Sequence, residues 1–123
     1  KLLCSKKQEF WVMDNAKVNH LPYKVEIKIP KKEYHIKEKI KIEVLVKDAK
    51  GTPIPYQKVY YSFFHPIGWQ EYKSQKVTDK EGKIVIKFST FTPGYLTISA
   101  GVIYKQGDYK KRFGDVKTIL VKE

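Results

Sequence analysis

The stretch that decides the fold is KDAKGTPIPYQKVYYSFFHP, residues 47–66. It joins two alternating apolar runs through a turn built from Asp48, Gly51, Thr52, Pro53 and Pro55. Strict alternation marks a half-buried strand, because successive side chains on extended backbone leave opposite faces. Before the turn, Ile40, Ile42, Val44 and Val46 alternate with Lys39, Lys41, Glu43, Leu45 and Lys47. After it, Val59, Tyr61 and Phe63 share one face while Tyr60 and Phe64 share the other. A strand apolar on both faces belongs mid-sheet or under a loop.

The same reading extends in both directions. Residues 23–29 alternate up to a break at Pro30, with Val25, Ile27 and Ile29 on one side. Residues 70–77 form a weaker strand suited to a sheet edge. The segment TDKEGK, residues 78–83, reads as a tight turn with Asp79 as its cap and Gly82 free to take a positive φ. Ile84, Ile86 and Phe88 then point inward, and Gly94 opens a strand whose Leu96, Ile98, Ala100 and Val102 face the core. KQGD, residues 105–108, is a hairpin turn. The final strand covers residues 117–121, with a start toward Tyr109. Short strands separated by regular turn signals, about seven in all, predict an antiparallel β-sandwich. No segment after Tyr23 sustains helical spacing.

Residues 1–22 read differently. Their one apolar run is Phe10, Trp11, Val12 and Met13, bracketed by polar residues and closed by Pro22. Neither period is sustained, so the segment is a lead-in strand, a short helix or a tail.

Three groups of residues carry a resemblance. They are Asp48 with Gly51-Thr52-Pro53-Ile54-Pro55 and Val59; Thr78-Asp79 with Gly82-Lys83; and Phe88 with Gly94-Tyr95-Leu96-Thr97-Ile98-Ser99-Ala100. Together they resemble the immunoglobulin-like modules of invasin/intimin-type adhesins and of macroglobulin-type domains. In those families the first group is the turn between the B and C strands, the second precedes the E strand, and the third is the F strand. The resemblance covers residues 23–123 and leaves 1–22 as an N-terminal extension. It implies an all-β, immunoglobulin-like antiparallel sandwich and non-enzymatic work in an extracellular or cell-surface assembly. It implies no particular ligand, because one sandwich hosts many functions.

Composition agrees. The 123 residues are enough for one domain with its own core, and 41% apolar residues make it globular. The nine tyrosines suit pleated surfaces. Cys4 is the sequence's one cysteine and makes no internal disulfide; Leu3 before it argues against a lipid-anchored cysteine. No apolar run approaches the roughly 20 residues of a membrane-spanning helix. Net charge is +12, which raises an anionic partner. The cations are nearly all lysine, with Arg112 the one arginine, and they alternate with core residues. That pattern makes a solvated outer face and weighs against nucleic acid, whose bidentate recognition favours arginine. The Lys, Glu and Ile bias resembles that of heat-adapted proteins.

A search for chemistry returns little. His20, His35 and His65 lack metal-ligand spacing, there is no phosphate-binding glycine loop, and no nucleophile has a base beside it. The expectation is no enzyme, no cofactor and no metal. Three interaction candidates remain. Phe10, Trp11, Val12 and Met13 are suited to strand donation, in which an extended segment pairs with the edge of another subunit; the competing reading packs them on their own domain. Trp69 and Tyr72, near a strand end, are suited to stacking on a polysaccharide or anchoring a protein; the competing reading folds Trp69 over the core. Lys110, Lys111 and Arg112 are suited to an acidic polymer or membrane surface; the competing reading is a solvated strand end. The first choice of partner is protein, either another copy or neighbouring immunoglobulin-like domains.

Overall fold

The computed structural model describes residues 24–65 and 70–123. In chain order its elements are β1 (Lys24–Lys28), β2 (Glu33–His35), β3 (Ile40–Lys47), β4 (Lys58–His65), β5 (Gln70–Val77), β6 (Lys83–Phe88), β7 (Gly94–Gln106) and β8 (Tyr109–Lys122). They form a three-stranded sheet in the order β1-β3-β6 and a five-stranded sheet in the order β2-β8-β7-β4-β5. Every pairing is antiparallel except that of β2 with β8.

The core follows from the alternation. Ile40, Ile42, Val44 and Val46 on β3 are fully buried, as are Val59 on β4 and Ile98 on β7. Leu96, Ala100 and Val102 face the same interior, and Ile84 and Ile86 come from β6. The alternate residues Lys41, Lys87 and Lys117 stay in water. β4 does lie mid-sheet, between β7 and β5, and β5 is an edge strand.

One feature departs from the sequence expectation. β2 is an additional strand of only three residues, too short to show a period, and its ladder is supplied by β8. Leu120 N donates to Lys32 O at 2.9 Å and Ile36 N to Lys122 O at 2.8 Å. Glu33 pairs with Lys122 at 2.9 Å, and the Lys122 ammonium holds that carboxyl below its ordinary range. Glu38 is lowered likewise by its ion pair with Lys31 and by the His35 N–H. β8 begins at Tyr109, the early start that the sequence reading allowed for. β4 covers β7 only from Thr97 to Gly101, so beyond Gly101 the β7–β8 pair runs as a two-stranded arm out to Gln106 and Tyr109. Residues 109–112 are all exposed, so they lack the apolar alternation that marks the strand farther on.

The turn that joins the sheets is fixed by side chains. The buried Asp48 carboxylate accepts from Lys50 N at 2.8 Å and Thr52 N at 2.9 Å, closing the turn after β3. Ile54 N then bonds Val46 O, while Val46 N bonds Gly82 O, so the crossover docks against the start of β6. Asp79 Oδ1 accepts from Glu81 N at 2.8 Å and Lys83 N at 3.1 Å, which caps the second turn as expected. This corner sets where β6 begins, and so where its outer edge lies.

Candidate functional site

Antiparallel pairing turns the peptide of every second residue toward one neighbour. On β6, Gly82 O faces β3, so Ile84 and Ile86 also bond inward, and Lys83, Val85 and Lys87 face the far side. Lys83 is occupied by the turn, since Asp79 N donates to Lys83 O at 2.9 Å. Among the described residues no strand pairs with the far side of β6. Its one visible contact is a side chain: Lys76 Nζ, from β5, donates to Val85 O at 2.9 Å.

Behind that edge lies a cleft of about 500 Å³ between the two sheets. Tyr61, Phe63, Ile86, Phe88 and Leu96 are among its lining, with Tyr72 on the β5 side. Phe63 stacks on Phe88 with ring centroids 4.2 Å apart, and Tyr72 lies nearly parallel to Phe63 at 5.9 Å. Tyr72 nonetheless keeps 58% of its surface in water. His65 closes one end, buried, with Nε2 at 3.0 Å from Thr90 Oγ1. The cleft is therefore an opening in the sandwich flanked by two edge strands, β5 and β6.

The other edges differ. β1 is covered by β8: the Asp115 carboxylate accepts from Ile27 N at 2.9 Å, taking an outward-facing amide. β2 offers three residues and carries the Glu33–Lys122 ion pair. A second cleft of about 600 Å³ lies over Tyr61, Val102 and Phe113 and reaches Asp115.

The basic run is split by its own strand. Lys110 and Arg112 point to the face that also carries Lys105 and Ile103, their cross-strand partners. Lys111 points to the opposite face, where its ammonium stands 5.5 Å from the Phe113 ring centre. Phe10, Trp11, Val12, Met13, Cys4 and Trp69 lie outside the described residues. The described residues contain no group of three or more His, Cys, Asp or Glu able to hold a metal ion. Sequence reasoning placed Phe63 and Phe88 correctly inside. It missed the cleft over them, because an absent neighbour strand leaves no trace in periodicity.

No protein-family model and no curated protein sequence matches the chain. Among solved structures, the D00-D0 domain of intimin superposes with a TM-score of 0.54 at 13% identity, covering 81% of this chain and 49% of that one. The fold is immunoglobulin-like. The sporulation control protein Spo0M of Bacillus subtilis aligns with a TM-score of 0.47 at 15% identity, over 81% of this chain and 49% of its own. The chain spans about half the length of either structure. In immunoglobulin terms β3, β4, β6 and β7 take the places of strands B, C, E and F, as the turn motifs imply. A constant-type sandwich places strand D beside E. Here the strand after C stays with C as β5, and the D place beside β6 is open among the described residues.

Proposed function

We propose that this chain is a non-enzymatic, adhesive or structural immunoglobulin-like module of a cell-surface or secreted assembly, joining copies of itself through strand donation by its N-terminal segment. The observation that supports this is the outer side of β6, with which no strand pairs among the described residues, and the aromatic side chains behind it. An unpaired edge is a hazard that folds usually cover, and using it for a partner is one way to cover it. In this reading residues 1–22 are a donor segment and 23–123 the body. Phe10, Trp11, Val12 and Met13 supply the apolar side chains, and neighbouring immunoglobulin-like domains are the other protein partners the edges suit.

Light scattering across a concentration series tests it. The full chain is expected to gain mass with concentration, and a chain lacking residues 1–22 to stay monomeric. A full chain that is monomeric at every concentration ends the strand-donation reading.

A second reading has one observation in its favour. Lys105 and Lys110 face each other across the β7–β8 arm, with Arg112 on the same face. Like charges placed opposite each other repel, and an anionic polymer would relieve that. On this reading the chain binds a heparin column and elutes later than a Lys105→Gln, Lys110→Gln variant, with steep salt dependence. Coelution of the two would remove it. The polysaccharide reading leans on Trp69 and Tyr72, and the Tyr72 ring is stacked on Phe63.

A further inference from the structure

We infer that the acceptor for the donated strand is the open D place between β5 and β6, and that its occupant is the run Phe10, Trp11, Val12 and Met13 of a second copy of the chain. This inference rests on the strand-donation reading and adds the site, the register and the residue that guards it.

The four sheet edges differ: β1 has the Ile27 amide already bonded to Asp115, β2 is only three residues long, and the other two, β5 and β6, flank the cleft. β6 presents the peptides of Val85 and Lys87, two alternate residues whose N–H and C=O groups point away from β3. An incoming strand pairs through alternate residues in the same way, so a four-residue run matches this length. Its remaining side chains alternate inward, and the inward pair, Phe10 with Val12 or Trp11 with Met13, would lie over Phe63, Phe88 and Ile86. Ten extended residues, 14–23, would reach roughly 33–36 Å, enough to meet the β6 edge of a second copy as well as that of their own body, which the cross-linking test below separates. No other run of four apolar residues in the sequence falls outside the named strands.

Lys76 is the guard. Its ammonium bonds Val85 O, the acceptor an added strand needs first. Both Lys76 and this contact are exposed, so one hydrogen bond in water competes with a whole strand. Lysine on an edge is a known protection against unwanted pairing. Here it sets a threshold. Charge acts in the same direction, because two copies at +12 each repel. Added salt therefore strengthens this assembly, whereas it weakens any lysine–anion complex.

The test uses the full chain. Val85→Pro removes an amide that faces away from β3 and so costs the ladder nothing, and proline is tolerated on edge strands. It should weaken association about tenfold or more, with an unchanged circular-dichroism spectrum. Lys76→Ala should strengthen association several-fold. A photoreactive benzophenone at position 10, in a mixture of isotopically heavy and light chains, should cross-link to residues 85–90 of the other chain. Association with wild-type strength in Val85→Pro, together with cross-links elsewhere, would overturn the site while leaving strand donation standing. Cross-links confined to one chain would overturn the second-copy occupant. A full chain that never associates would defeat the underlying reading instead.

Discussion

Gly82→Ala should destabilise the protein by about 2–5 kcal/mol, more than the same change at Gly51. Both glycines have positive φ, +71° and +87° respectively, so both substitutions carry the left-handed strain of roughly 1–2 kcal/mol. Their surroundings differ. A Cβ at Gly51 would meet nothing within 4 Å, whereas one at Gly82 would stand 2.8 Å from Ile54 N, 2.8 Å from Val46 O and 2.9 Å from Pro53 Cβ. Two of those atoms are backbone, and they bond to each other at 3.0 Å. Relief requires moving the crossover off β6, which strains a well-packed region at a further cost of about 1–3 kcal/mol. Against a typical total of about 5–15 kcal/mol, the loss is large. Urea unfolding of the two variants checks it: equal midpoints would show that the contact contributes nothing and that only φ matters.

That contrast explains what the motif in residues 78–83 encodes. The sequence shows a turn glycine and a capping aspartate, and both are where turn chemistry puts them. It does not show that Gly82 is also the surface on which residues 53 and 54 rest, because that contact is between segments far apart in the chain. The same division runs through the whole fold. β3, β4 and β7 were legible because each buries one face against the opposite sheet, and burial forces period two. β2 was not, since three residues paired to the edge of β8 have Tyr34 alone to bury. The start of β8 was not, since residues 109–112 are all exposed. The cleft was the least legible, because what makes it is the position of β5. β5 keeps to β4 and leaves β6 without an outer neighbour among the described residues, a choice between two edges that its own alternation is equally compatible with.

Thr78→Val should be the most damaging change that keeps a side chain's shape at this corner, at about 2–4 kcal/mol. Thr78 is 1% exposed, and its hydroxyl works in both directions. Oγ1 donates to Ile54 O at 2.8 Å and accepts from Gln57 N at 2.7 Å. The backbone repeats the tie, with Tyr56 N donating to Thr78 O and Thr78 N to Gln57 O. Tyr56 takes a φ of +57° between them, a conformation that costs a non-glycine residue and persists only when its surroundings hold it. Valine keeps the volume and leaves a carbonyl and an amide without their partner, each at about 1–3 kcal/mol when water cannot replace it. Thr78→Ser keeps the hydroxyl and loses one methyl, so it should recover most of the difference. The ranking wild type, Thr78→Ser, Thr78→Val in urea midpoint, at constant slope, is the expected result. A valine variant as stable as the serine one would mean the hydroxyl is dispensable. The outcome reaches the proposed interface as well. Thr78 links the end of β5 to the crossover that seats β6, so loosening it should blur the spacing of the two backbones that frame the cleft. Association in Thr78→Val should then weaken alongside stability, while Thr78→Ser associates like the wild type.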